Sequence, residues 1–200
     1  MEENQSPLIL QISRIISNFF NPLTSLFIYF MYFSYLNYTW REMSVIFLPI
    51  LLITILPITV WIYYNVKKKR YTNMDVSDRN QRKSLYFFIE GALFVYLLFH
   101  YLTEYKVDWV MLFLLLLLMI MQLSNYLIKS SMHTAFNVFV SALFFVINPW
   151  IGILWAIIAV LVGISRIILK RHTLKEVLTG ALIASFVSFI YLYTNIQLQN

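Results

Sequence analysis

No cysteine occurs in the 200 residues, which removes disulfides, thiolate metal ligands and a cysteine nucleophile and leaves the redox compartment unreadable. Charge is scarce as well. Asp, Glu, Lys and Arg make up 12% of the chain against 60% for hydrophobic types, far below the roughly 25% charged content of soluble domains. A chain so poor in charge cannot cover itself with a hydrated surface, so most of it belongs in lipid. Glycine is limited to four residues, and there is no Gly-rich phosphate loop, no His-Glu-x-x-His metal site and no serine-centred hydrolase elbow. A cleavable leader is not expected either, because Glu2 and Glu3 stand where a basic region would be.

Long apolar runs are what the chain has in abundance. Crossing a hydrocarbon layer of ~30 Å takes about 20 residues of helix, and seven candidate spans fall near 20–38, 44–65, 86–103, 108–128, 134–148, 150–169 and 174–196. The expected fold is therefore all-α, a polytopic membrane helix bundle of about six to seven transmembrane helices, with 1–200 forming a single integral membrane domain. The fifth span is short, and Asn148-Pro149 suits a tight hairpin with the sixth. Residues 7–18 alternate apolar positions with Gln11, Ser13, Arg14 and Ser17, which fits an interfacial amphipathic helix within 1–19 or an extension of the first span.

Three polar stretches break the apolar pattern, at 66–84, around 129–134 and at 165–176. Two expected spans separate each from the next, so all three should emerge on one face. That face carries Lys67, Lys68, Lys69, Arg70, Arg79, Arg82, Lys83, Lys129, Arg166, Lys170, Arg171 and Lys175, whereas the opposite loops hold Arg41 and Lys106. Positive-inside bias puts the basic face, with the N-terminus, in the cytoplasm, and a plasma membrane is the expected location. The net charge of +6 would suggest nucleic acid in a soluble protein. Here the cations border apolar segments, where they set topology and meet anionic headgroups, and no nucleic-acid partner is expected.

The third stretch holds the most specific pattern: Ser165-Arg166, five residues, His172, three residues, Glu176. In a helix His172 and Glu176 would lie one turn apart on the same face. A carboxylate there fixes the imidazole tautomer and raises the basicity of its other nitrogen, as a nucleophilic or basic histidine requires. Arg166 adds a planar fork of donors suited to phosphate oxygens. An ordinary charged helix end is the competing interpretation. The second stretch, Lys129-Ser130-Ser131-Met132-His133-Thr134, places a histidine at a helix N-terminus beside hydroxyls and N–H groups that could receive an anion, or simply caps that helix. The first stretch offers Arg79 and Arg82, three apart on one helical face, for the charge that builds on a transferring phosphoryl group. A solvated juxtamembrane basic run is the bland alternative.

Together these three stretches resemble the type 2 phosphatidic acid phosphatase superfamily. Its motifs read Lys, six residues, Arg-Pro; then Pro-Ser-Gly-His; then Ser-Arg, five residues, His, three residues, Asp. The third is matched by Ser165, Arg166 and His172, with Glu176 for Asp, and by Val177 and Gly180 beyond it. The second is matched by Ser131 and His133, with Ser130 for Pro and Met132 for Gly. The first is matched by Arg82 alone, with Lys83 for Pro and Asp75 for Lys. The motif core spans 75–185.

The resemblance implies a membrane lipid phosphatase that needs no metal or other cofactor and acts on a phosphomonoester or diphosphate of a lipid. Phosphatidic acid, phosphatidylglycerol phosphate and polyprenyl diphosphate all fit. It implies that His172 attacks phosphorus to form a phospho-histidine, that Glu176 orients it, and that His133 protonates the leaving group. Arg82, Ser131 and Arg166 would hold the phosphate oxygens. The resemblance leaves the lysine position unfilled, and Arg79 or Lys129, near the matched residues in sequence, would supply that cation. The alternative is a catalytically inactive scaffold or a lipid-binding or transport protein of the same fold.

Other marked residues have structural interpretations. His100 should be interfacial, Glu90 is an intramembrane carboxylate that would pair with a motif cation, and Asn125 and Asn137 should hydrogen-bond between helices. Gly180, Ala184 and Ser188 form a small-residue stripe suited to helix packing.

Overall fold

The computed structural model describes residues 6–76 and 78–199, and the described residues contain helices and no strand. Helix α1 (Pro7–Phe19) starts where Ser6 caps the Ile9 N–H and Pro7 occupies the first turn. It stops at Phe20, whose φ of −89° and ψ of 42° leave the helical region. Asn21 then turns the chain, its Nδ2 donating to Asn18 O at 2.8 Å and its Oδ1 accepting from Thr24 N at 3.1 Å. Pro22 opens α2 (Pro22–Asn37). Residues 7–19 are thus a helix of their own, not an extension of the first span.

That helix has three faces. Leu8, Ile12, Ile15 and Phe19 form an exposed apolar stripe, Gln11, Arg14 and Asn18 an exposed polar one, and Ser13 and Ser17 are buried. Apolar and polar stripes side by side on an otherwise docked helix are the pattern of a helix lying in a membrane surface.

Packing divides the chain into two compact units, Met1–Met31 with Ser130–Asn200, and Tyr32–Lys129. In the second unit, α3 (Trp40–Ile50) begins with a capping box between Thr39 and Glu42. It runs through a π turn, Leu51–Ile55, into α4 (Leu56–Lys67), giving one continuous 28-residue run. The π turn lies between Pro49 and Pro57, whose missing N–H groups disrupt the regular ladder. Thr54 and Thr59 hydroxyls pick up the Ile50 and Ile55 carbonyls at 2.5 and 2.7 Å. Helix α5 (Arg79–Glu104) is capped by Asp78, and α6 (Trp109–Leu127) by Asp108, which also accepts from Tyr96 Oη at 3.0 Å.

In the first unit, α7 (Met132–Ile147) and α8 (Pro149–Ile168) are joined by Asn148 alone, which accepts the Trp150 N–H while Pro149 opens α8. This is the hairpin expected from Asn148-Pro149. Gly152 permits it, since a Cβ there would lie 2.6 Å from Phe145 Cα. Helix α9 (Leu174–Gln199) completes the unit. Phe139, Val140, Leu143, Val162 and Ala184 are buried from three of these helices.

Among the described residues, five helical runs are long and apolar enough to cross a membrane: Trp40–Lys67, Arg79–Glu104, Trp109–Leu127, Pro149–Ile168 and Leu174–Leu198. The protein is an all-α integral membrane protein. The expected spans at 20–38 and 134–148 correspond to α2 and α7, both of 16 residues, so each reaches only about 24 Å at 1.5 Å per residue.

Candidate functional site

Five of the candidate residues come together in the first unit, and the local chain path explains why. Ser165 and Arg166 occupy the last turn of α8, with the Ser165 hydroxyl committed to Leu161 O at 2.8 Å. Lys170 takes a left-handed conformation, φ 52°, which ends the helix as a C-terminal αL residue does. The backbone N–H groups of Arg171 and His172 then both return to the carbonyl of Arg166, at 3.0 and 3.2 Å. The five-residue spacing is thus the length of a helix stop that ties the backbone of His172 to that of Arg166.

Thr173 caps α9 immediately afterwards. Its Oγ1 accepts the Glu176 N–H at 3.3 Å and its N–H donates to Glu176 Oε2 at 2.9 Å, a reciprocal capping box. The same Oε2 lies 3.0 Å from His172 Nδ1. The contact expected between these two residues is present, but its premise of a shared helical face is not. His172 lies outside the helix, and Glu176 meets it because the cap turns the carboxylate back toward the N-terminus. The imidazole side chain is 0% exposed and the carboxylate 20%.

The second motif is docked on this turn. Ser131 caps α7, its Oγ accepting from Thr134 N at 3.4 Å and from Thr134 Oγ1 at 3.0 Å. Its own N–H donates to the backbone carbonyl of Glu176 at 3.0 Å. A Cβ at Gly180 would stand 2.7 Å from Ser131 O, so Gly180 lets α9 approach this segment and is more than one member of a packing stripe. His133 follows in the first turn of α7 and is buried with Ser130 and Ser131. Met132, where the resembling family has glycine, is not among the residues with positive φ; the backbone path there does not require glycine. Arg166 is also buried, and its Nη1 donates to Ser17 Oγ of α1 at 2.9 Å.

The remaining candidates belong to the second unit. Arg82 is buried on α5, and its Nε donates to the carbonyl of Val76 at 3.0 Å. Val76 itself has φ 44°, a strained conformation for a β-branched residue. Arg79 closes the end of α6, donating from Nε to Asn125 O at 2.6 Å and from Nη2 to Tyr126 O. Lys129 lies just past that helix end, partly exposed. Glu90 meets the neutral amide of Gln122, which oriented to donate lies 3.0 and 3.2 Å from its two carboxylate oxygens. His100 stacks on Tyr96 at 5.8 Å.

Two residues carry more than sequence reasoning gave them. Ser17 appeared only as a polar position of an interfacial helix; its signal was the Ser13, Ser17 pair one turn apart, opposite the apolar stripe. Asn137, expected to join helices, uses its whole amide. Nδ2 donates to Phe20 O at 2.9 Å and His133 O at 2.8 Å, and Oδ1 accepts from Ser25 Oγ at 2.9 Å and Trp155 Nε1 at 3.2 Å.

Comparison of the chain with protein-family models, curated proteins and solved structures finds no match.

Proposed function

We infer that the protein is a histidine phosphatase acting on a lipid phosphate or diphosphate at the cytoplasmic boundary of the plasma membrane. The observation that carries this reading is the buried His172 held through Nδ1 by Glu176, on a turn that also anchors Arg166 and receives the Ser131 segment. A structural helix cap would need Thr173 and Glu176; it would not need a buried imidazole and a buried guanidinium on the same turn.

Glu176 accepts at Nδ1, so attack on phosphorus falls to Nε2. As the Nε2–P bond forms, the bond from phosphorus to the lipid oxygen breaks, and His133 gives a proton to that leaving oxygen. Water then attacks the phospho-histidine, its proton passing to His133, and inorganic phosphate leaves with His172 regenerated. Arg166 would hold phosphate oxygens throughout, neutralising charge that grows in the transition state. A site built at helix ends beside the hydrocarbon suits a substrate whose tail stays in the membrane.

The test is phosphate release by purified protein in detergent with EDTA, from phosphatidic acid, phosphatidylglycerol phosphate and polyprenyl diphosphate, beside His172→Ala. Release that survives EDTA and is lost in the variant supports the reading and ranks the substrates. No release from any of the three by folded protein favours the inactive scaffold, to which the departures at Asp75, Ser130 and Met132 would then point.

A further inference from the structure

We propose that α1 is part of the phosphate site, with Ser17 acting as the positioning residue for Arg166; this rests on the phosphatase reading above.

An arginine at the last turn of a helix has four rotatable bonds, and a fork of donors is useful to an anion only if its plane is held. Here one such hold comes from 149 residues distant in sequence: Arg166 Nη1 donates to Ser17 Oγ at 2.9 Å, and Ser17 is 1% exposed. Ser17 presents an acceptor and carries no charge, so it orients the guanidinium without neutralising it. A carboxylate in its place would compete with the phosphate for the same cation.

The position of Ser17 is itself held, and by the same residue that touches the second motif. Phe20, three residues on, gives its carbonyl to Asn137 Nδ2 and its ring packs edge-on against Trp155 at 5.7 Å. Asn137 also binds the carbonyl of His133 one turn earlier on α7, and takes Ser25 of α2 and Trp155 of α8 on its oxygen. One fully used amide thus joins the α1–α2 corner to the helix that carries His133 and the helix that carries Arg166. The corner cannot shift without breaking contacts to both. Outward, α1 shows its apolar and polar stripes, and the residue of α1 that reaches the site is Ser17, through Arg166.

The experiment compares Ser17→Ala, Ser17→Thr and Ser13→Ala with the wild type, measuring kcat and KM for phosphate release from the best lipid substrate and inhibition by orthovanadate. Ser13 is the other buried hydroxyl of α1 and controls for a merely structural role of the face. Loss of a hydrogen bond to a charged group predicts a fall in kcat and in vanadate affinity of roughly tenfold or more for Ser17→Ala. KM should change little, Ser17→Thr should return both to within about twofold, and Ser13→Ala should match the wild type. Equal behaviour of Ser17→Ala and wild type, or failure of Ser17→Thr to restore a Ser17→Ala defect, overturns the positioning role and leaves the phosphatase reading standing. A folded wild type that neither releases phosphate nor binds vanadate overturns both.

Discussion

Glu176 Oε2 accepts two hydrogen bonds at once, from the Thr173 N–H that begins α9 and from the imidazole of His172. The two duties are separable by substitution. Glutamine serves in a capping box as glutamate does, but its amide cannot hold the imidazole tautomer with a charge. Glu176→Gln should therefore leave thermal stability in detergent close to wild type while lowering kcat by about a hundredfold or more, the scale of a lost acid–base partner. Equal kcat in the variant would reduce Glu176 to a cap. Both outcomes are read from one melting curve and one initial-rate series.

At the scale of elements, the site depends on how closely α9 approaches the start of α7. The Ser131 N–H reaches the Glu176 carbonyl only because position 180 has no side chain. Gly180→Ala would put a methyl 2.7 Å from Ser131 O, against backbone that cannot rotate away. Such overpacking typically costs about 1–3 kcal/mol. The expected result is a lowered melting temperature together with a loss of phosphate release larger than the stability change accounts for, because Ser131 and His133 move with the segment. Ala184→Gly, deeper on the same face, should lower stability without that disproportionate loss. The left-handed Lys170 that ends α8 is a second element-scale device: it turns the chain sharply enough for the His172 N–H to return to Arg166 O.

For the whole molecule, orientation in the membrane is the property that sets which compartment the substrate headgroup faces. The absence of cysteine makes single-cysteine labelling clean. Asn73 precedes α5 and Lys106 follows it, so a membrane-spanning α5 puts them on opposite sides. Asn73→Cys should resist a membrane-impermeant maleimide in intact cells and Lys106→Cys should react. The reverse pattern would overturn the cytoplasmic assignment and show that the cations of the basic face serve chemistry instead of topology.

The sequence by itself determined the solvent and the element type: apolar runs too long and too poor in charge for water can satisfy their backbone only as helices in lipid. It also determined the local part of the candidate site, because Arg166, His172 and Glu176 lie within one helix stop and one helix start, where spacing translates directly into geometry. Even there it misjudged the means, since a cap and not a helical face brings His172 to Glu176. Only the tertiary structure decided that Ser17 reaches Arg166, that Asn137 ties the first corner to α7 and α8, and that Gly180 lies against Ser131. Those contacts join positions far apart in the chain, and no local periodicity encodes them; they follow from which helix faces pack together and from the one place where the missing side chain lets two backbones meet.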